Sequence, residues 1–221
     1  MCGRFTQLFT WEELYNLYNL TNPLTPNLRP SWNIAPTQDA GVILPEEGGR
    51  IYRTMRWGLV PAWAKDLKIG SQTINARLET AQVKPAFRNA WKSRRCLVPA
   101  SGFYEWREIA VPGRAKRAKM PFYIARKDRQ PLTFAGLWER WTDGLLTFTI
   151  LTTDASGGIR ELHSRMPVML APQSFEAWFS DGNPVCDPGI GAAVQVTAVS
   201  PRMNSPRYNE PGCIEALRPS A

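Results

Sequence analysis

Cys96-Leu97-Val98-Pro99-Ala100-Ser101-Gly102-Phe103-Tyr104-Glu105-Trp106-Arg107 sets the pattern on which the fold turns. Two short runs of apolar, β-branched and aromatic residues flank a Pro/Ser/Gly break, which is how strands separated by a turn read. Residues 121–126, 133–138 and 145–152 repeat the type. Upstream, residues 41–44 and 51–57, joined through Glu46-Glu47-Gly48-Gly49, predict a hairpin, and residues 194–199 predict a late strand. Helical signals are shorter. Thr10-Trp11-Glu12-Glu13 is a capping box, in which the Thr10 hydroxyl and Glu13 carboxylate satisfy free amides at a helix start. That helix runs toward Leu20 and stops near Asn22-Pro23. Residues 85–92, 156–162 and 172–179 read as further helices, residues 22–36 as an ordered Pro/Asn-rich loop, and residues 114–119 as a solvated basic hairpin tip. No repeat or linker divides the chain. The expected class is α+β: a single domain over residues 1–221, with a curled, barrel-like, mostly antiparallel sheet flanked by short helices.

Composition narrows the function classes. The 221 residues are 43% apolar and 21% charged, as in a globular chain with a full core. No apolar run approaches the roughly 18 residues that span a bilayer. Met1-Cys2-Gly3-Arg4-Phe5 lacks the layout of a secretion signal, so a cytoplasmic location is expected. Four scattered cysteines (Cys2, Cys96, Cys186 and Cys213) and one histidine argue against a zinc site and a disulfide framework, and no metal or cofactor is expected. The net charge of +8 draws polyanions, of which nucleic acid is the commonest in a cytoplasm; a basic surface that only aids solubility is the other reading.

Few residues carry chemistry. Loss of Met1 turns Cys2 into a residue with an α-amine and a thiol on adjacent carbons, a pair that closes onto an aldehyde as a thiazolidine. Alternatively, a terminal cysteine frays unused. His163 is the one side chain whose ordinary pKa suits proton transfer at neutral pH, although a lone histidine also serves structural ends. Strand alternation places Phe103, Glu105 and Arg107 on one face. Glu105 is then either a proton shuttle with a raised pKa among aromatics or a surface glutamate paired with Arg107. Asn75 and Arg77, two apart in an extended segment, share one side and suit a phosphate or a base edge, with Arg4 and Arg165 extending the positive surface. Pro36, Pro61 and Trp63 are stiff apolar groups of the kind that wedge or stack against bases.

Six segments taken together resemble the SOS-response-associated peptidase (SRAP) family, the abasic-site crosslinking proteins. They are Met1-Cys2-Gly3-Arg4-Phe5, Trp32-Asn33-Ile34-Ala35-Pro36, Arg56-Trp57-Gly58-Leu59-Val60-Pro61, Ile74-Asn75-Ala76-Arg77-Leu78-Glu79-Thr80, Gly102-Phe103-Tyr104-Glu105-Trp106 and His163-Ser164-Arg165-Met166-Pro167. The resemblance implies a thiazolidine between Cys2 and the ring-opened sugar of an abasic site in single-stranded DNA, shielding the lesion in the DNA damage response. It implies Asn75, Glu105 and His163 as active-site partners, Arg4, Arg77, Thr152 and Arg165 as DNA contacts, and Pro36 and Trp63 as part of a wedge. The protein is expected to be a monomer with no membrane partner, and nucleoid-associated when bound to DNA. Autoproteolysis is a further activity that the family name suggests. Two departures stand out: Ala64 follows Trp63 where a second aromatic can occur, and Met166 stands where a further arginine can occur. Two other readings compete: a cysteine peptidase acting in trans, and a non-covalent single-strand-binding module.

Overall fold

A computed structural model of the chain describes residues 2–110, 117–184 and 189–217. The predicted hairpin is present: β3 (Asp39–Glu46) and β4 (Gly49–Trp57) pair antiparallel from Asp39↔Arg56 to Glu46↔Gly49, turning at Gly48 with φ 80°. The opening stretch forms β6 (Arg95–Ala100) and β7 (Gly102–Ile109). The three runs that follow become β8 (Ala118–Arg126), β9 (Leu132–Arg140) and β10 (Leu146–Asp154). The late strand is β12 (Val194–Ala198).

One sheet orders β12-β8-β7-β1-β2, where β1 is Phe5–Gln7 and β2 is Ser31–Ile34. The other curls. β10 pairs antiparallel with β9 along one edge and parallel with β4 at Thr147↔Arg56 and Phe148↔Trp57 on the other. β3, β6 and β9 complete the circuit. The seams are thin, with β3 and β6 meeting at the single pair Ile43↔Leu97, so the sheet is ring-like rather than a closed barrel. β3, β6, β9 and β10 are buried on both faces along most of their length, which explains their near-continuous apolar runs, whereas β4 keeps Arg53 and Thr54 exposed. Val42, Val98, Phe134 and Ile150 turn into a core with Cys2, Phe5 and Trp57. Their alternate neighbours Ile43, Leu97, Ala135 and Leu151 pack instead with Leu14, Tyr18, Phe175 and Trp178. Those last four lie on α1 (Trp11–Tyr18) and α4 (Phe175–Asp181). Each fully buried side chain of this size contributes about 1.5–3 kcal/mol.

The α1 capping box is formed as expected, and the helix stops one turn early at Asn19, whose φ of 50° is left-handed. Other boundaries moved. The 22–36 loop contains β2, a strand that exists because it pairs with β1. The helix expected at 85–92 is α3 (Arg88–Ser93), preceded by α2 (Leu78–Ala81). The segment at 156–162 winds as a 3-10 turn over Gly157–Glu161, in keeping with the poor helix propensity of Gly157-Gly158. Pro172–Ser174 is likewise 3-10 before α4, and α5 (Ile190–Ala193) precedes β12. Of the expected basic tip, residues 114–116 lie outside the described residues and Lys119 belongs to β8. No helix among the described residues is long and apolar enough to cross a membrane.

One glycine directs the chain into the site. Gly58 has a φ of 117°, and a Cβ there would lie 2.3 Å from the Gly70 carbonyl oxygen. β4 therefore leaves the β10 edge at Gly58, and β5 (Asn75–Arg77) takes over that edge in parallel register, Ile150↔Asn75 to Thr152↔Arg77. On the opposite edge β11 (Arg165–Pro167) pairs with residues 152–154.

Candidate functional site

The segment leading into β1 holds Cys2 fully buried among Phe5, Ile34, Trp57 and Ile150. Asn75, at the start of β5, donates from Nδ2 to the Cys2 carbonyl at 2.8 Å, and the Trp57 indole fixes the preceding residue by donating to the Ile74 carbonyl at 2.9 Å. The other amide atom of Asn75, Oδ1, is buried without a hydrogen-bond partner among the described residues. It is an acceptor poised for a group that enters the site.

Glu105 on β7 is buried, and burial pushes its carboxyl above the usual range, against the opposing positive charges of the amino terminus and His163. Arg107 does not pair with it as a surface partner would, since its guanidinium lies over the Phe122 ring at 5.0 Å. The Cys2 thiol is pushed far up by burial and, secondarily, by the Glu105 charge. At neutral pH it is a thiol, not a thiolate. His163 follows the 3-10 turn, and its Nδ1 accepts the Arg165 backbone N–H at 2.9 Å. In the neutral ring that bond places the proton on Nε2. Glu105 and His163 line one cavity of about 430 Å³ with Trp106, Glu108 and Lys119. Cys2, Asn75, Glu105 and His163, distant in sequence, are thus brought together.

The expected DNA contacts divide. Arg77 is exposed and has no hydrogen bond or ion pair among the described residues, so its guanidinium is available. Trp63 is 57% exposed beside an open cavity of about 520 Å³ that Lys65 and Lys68 also line. Pro36 sits half-buried in a turn closed by the Gln38 N–H donating to the Ala35 carbonyl at 3.1 Å. Thr37 behind it has a φ of 72°, a strained conformation for a β-branched residue. Thr37 is held there by its N–H on the Trp57 carbonyl (2.9 Å) and by Arg56 on its own carbonyl (2.7 Å).

Three other expected contacts are engaged within the fold. Thr152 is fully buried, and its hydroxyl donates to the Ala76 carbonyl at 3.4 Å, so it supports β5 and does not face solvent. Arg4 is not a free cation: it donates to Asn33 Oδ1 (2.8 Å) and to the Met203 and Asn204 carbonyls (both 3.1 Å). Arg165 forks onto Glu79 (2.9 and 2.8 Å) and also donates to Asp154 (2.7 Å) and the Thr152 carbonyl (2.6 Å). The partners Asn33, Glu79 and Asp154 were not anticipated, because no spacing rule connects residues so far apart in sequence.

The family model described as "SOS response associated peptidase (SRAP)" matches residues 1–206. The chain belongs to the SRAP family. It is 36% identical over 228 residues to the abasic site processing protein YoqW of Bacillus subtilis, covering 98% of this chain and 100% of the relative. It is 27% identical over 229 residues to the abasic site processing protein HMCES of Xenopus tropicalis, covering 86% and 67%. A solved structure from Bacteroides thetaiotaomicron superposes with a TM-score of 0.78 at 23% identity, covering 98% and 100%, and establishes the shared fold. The ring-like sheet is therefore the SRAP fold. Within this SRAP chain the C-terminal segment closes one side of the site: Asn33 Nδ2 donates to the carbonyls of Met203, Ser205 and Tyr208 (2.7–3.0 Å). Asn204 Oδ1 accepts the Trp106 indole N–H at 2.7 Å.

Proposed function

We propose that this protein captures abasic sites in single-stranded DNA as a covalent thiazolidine on Cys2, once Met1 has been removed. The supporting observation is the convergence of Cys2 with Asn75, Glu105 and His163, together with relatives named as abasic site processing proteins. The abasic deoxyribose is mostly a closed hemiacetal. His163 Nε2 exchanges the proton that opens it to the C1′ aldehyde. The neutral Cys2 amine adds to C1′, the Glu105 carboxyl protonates the departing hydroxyl and its carboxylate takes the remaining proton from nitrogen, so that one water leaves and the neutral Schiff base forms. The Cys2 sulfur then bonds C1′ while its proton passes to the nitrogen. The ring product lacks a free aldehyde, so β-elimination and strand breakage at the lesion are suppressed.

Burial explains why the amine acts first. The thiol stays protonated until the imine stands next to it, whereas a peptidase acting on other proteins needs a resting thiolate. A purely non-covalent module would leave the buried Glu105 carboxyl without a role. The whole chain is read as one monomeric, cytoplasmic unit engaging DNA through the exposed face around Arg77 and Trp63.

His163→Ala is expected to slow adduct formation by roughly 10²-fold, the lower end for a lost general acid–base, while leaving non-covalent binding intact. Single-turnover gel kinetics test this, and full-speed chemistry removes His163 from the mechanism. Arg77→Ala is expected to weaken binding and to lower the slope of log K against log salt by about 0.7, the value for one lost phosphate contact on a single strand. An unchanged slope in an anisotropy salt titration means that Arg77 touches no phosphate.

A further inference from the structure

We infer that Asp154 competes with a DNA phosphate for the Arg165 guanidinium and so acts as a removable cover over the phosphate site nearest His163. This deepens the proposed function and rests on it. The cover is built into the sheet, because β10 and β11 place Asp154 and Arg165 directly opposite each other. The Arg165 side chain is only 12% exposed, whereas that of Asp154 is 86% exposed. The two carboxylates around the guanidinium are not equivalent. Glu79 grips it with both oxygens, to Nη1 and Nη2 at 2.9 and 2.8 Å. Asp154 contributes one hydrogen bond to Nη1, at 2.7 Å. A single contact from so exposed a carboxylate contributes little stability, and Glu79 keeps the guanidinium paired when it leaves. A phosphodiester oxygen offers the same charge-assisted hydrogen bond. It can take the Asp154 position while Glu79 keeps the guanidinium plane fixed.

The consequence for DNA follows from charge and place. Two carboxylates on one guanidinium leave the cluster net negative, so an approaching strand is repelled until Asp154 swings away. The backbone N–H of the same Arg165 holds His163 Nδ1 at 2.9 Å. A phosphate seated on the side chain would therefore register the strand with its sugar beside the proton-transferring imidazole. Arg77 supplies affinity without such a cover.

The test measures non-covalent binding, by fluorescence anisotropy over a salt series, to a single strand carrying tetrahydrofuran, an abasic analogue with no aldehyde. Asp154→Asn is expected to bind about 5-fold tighter at low salt and to steepen the salt slope by about 0.7, one added phosphate contact. The gain is expected to vanish in an Arg165→Gln background. Asp128, an exposed aspartate paired with Arg126, supplies the charge control, and Asp128→Asn is expected to leave binding unchanged. Absence of a gain overturns the proposal, as does a gain that survives Arg165→Gln or is matched by Asp128→Asn. Where Arg165→Gln does not fold, the comparison of the two aspartate variants decides. Failure of the proposed function shows separately, as no adduct between the wild-type protein and an aldehyde-bearing strand.

Discussion

Cys2→Ala is expected to abolish the adduct that survives denaturation when the protein meets an abasic single strand. The variant keeps the α-amine, so it can still form a Schiff base, but it has no sulfur to close the ring. An imine hydrolyses on denaturation unless it is reduced. Cyanoborohydride should therefore trap the Cys2→Ala protein on the strand, while the wild-type protein needs no reductant. The side chain is fully buried in a packed core, and replacing the sulfhydryl with hydrogen removes a single heavy atom there, so folding should persist. Denaturing gels with and without reductant give the readout. A reductant-independent adduct undiminished in Cys2→Ala would falsify the role of the sulfur.

Glu105→Gln is expected to move activity and stability in opposite directions. Loss of the proton donor should slow crosslinking by about 10²-fold or more. The same substitution should raise the melting temperature at neutral pH. Burial raises the Glu105 pKa, so the folded state binds its proton more tightly than the unfolded state. The favourable contribution is present at pH below the unfolded carboxylate pKa and is lost as pH rises through the raised folded value. Glutamine has no such loss. The variant's advantage should thus be absent in acid and grow toward neutral pH, with each 1 kcal/mol appearing as roughly 2–4 °C at this chain length. Melting curves across pH 4 to 8 check the sign. A Glu105→Gln protein less stable at neutral pH than the wild type would mean that the carboxylate is a net structural asset.

Much of the fold was legible because β6, β9 and β10 bury both faces. Residues 96–98, 133–138 and 145–152 therefore read as apolar runs, and the Gly48 turn marked the β3–β4 hairpin. The short strands β2, β5 and β11 carry no such signal. They are extended because β1 and β10 offer open edges, which is a tertiary cause. The site residues Cys2, Asn75, Glu105 and His163 were picked out by chemistry and by the SRAP resemblance, and the fold places them together. The charged surroundings were not legible. Arg4 and Arg165 look like surface cations in the sequence, yet each is consumed by partners far along the chain: Asn33 and residues 203–204 for one, Glu79 and Asp154 for the other. A net charge of +8 gives the sign of the whole molecule and says nothing of the local field at His163.

The most direct test of Cys2 aminothiol capture is the intact mass of Met1-free protein after incubation with an abasic single strand and no reductant, followed by peptide mapping. The predicted species is protein plus oligonucleotide less one water, with the strand on the N-terminal peptide and no free thiol at Cys2. An adduct seen only with reductant, or one mapped to a lysine with the Cys2 thiol still free, would contradict it.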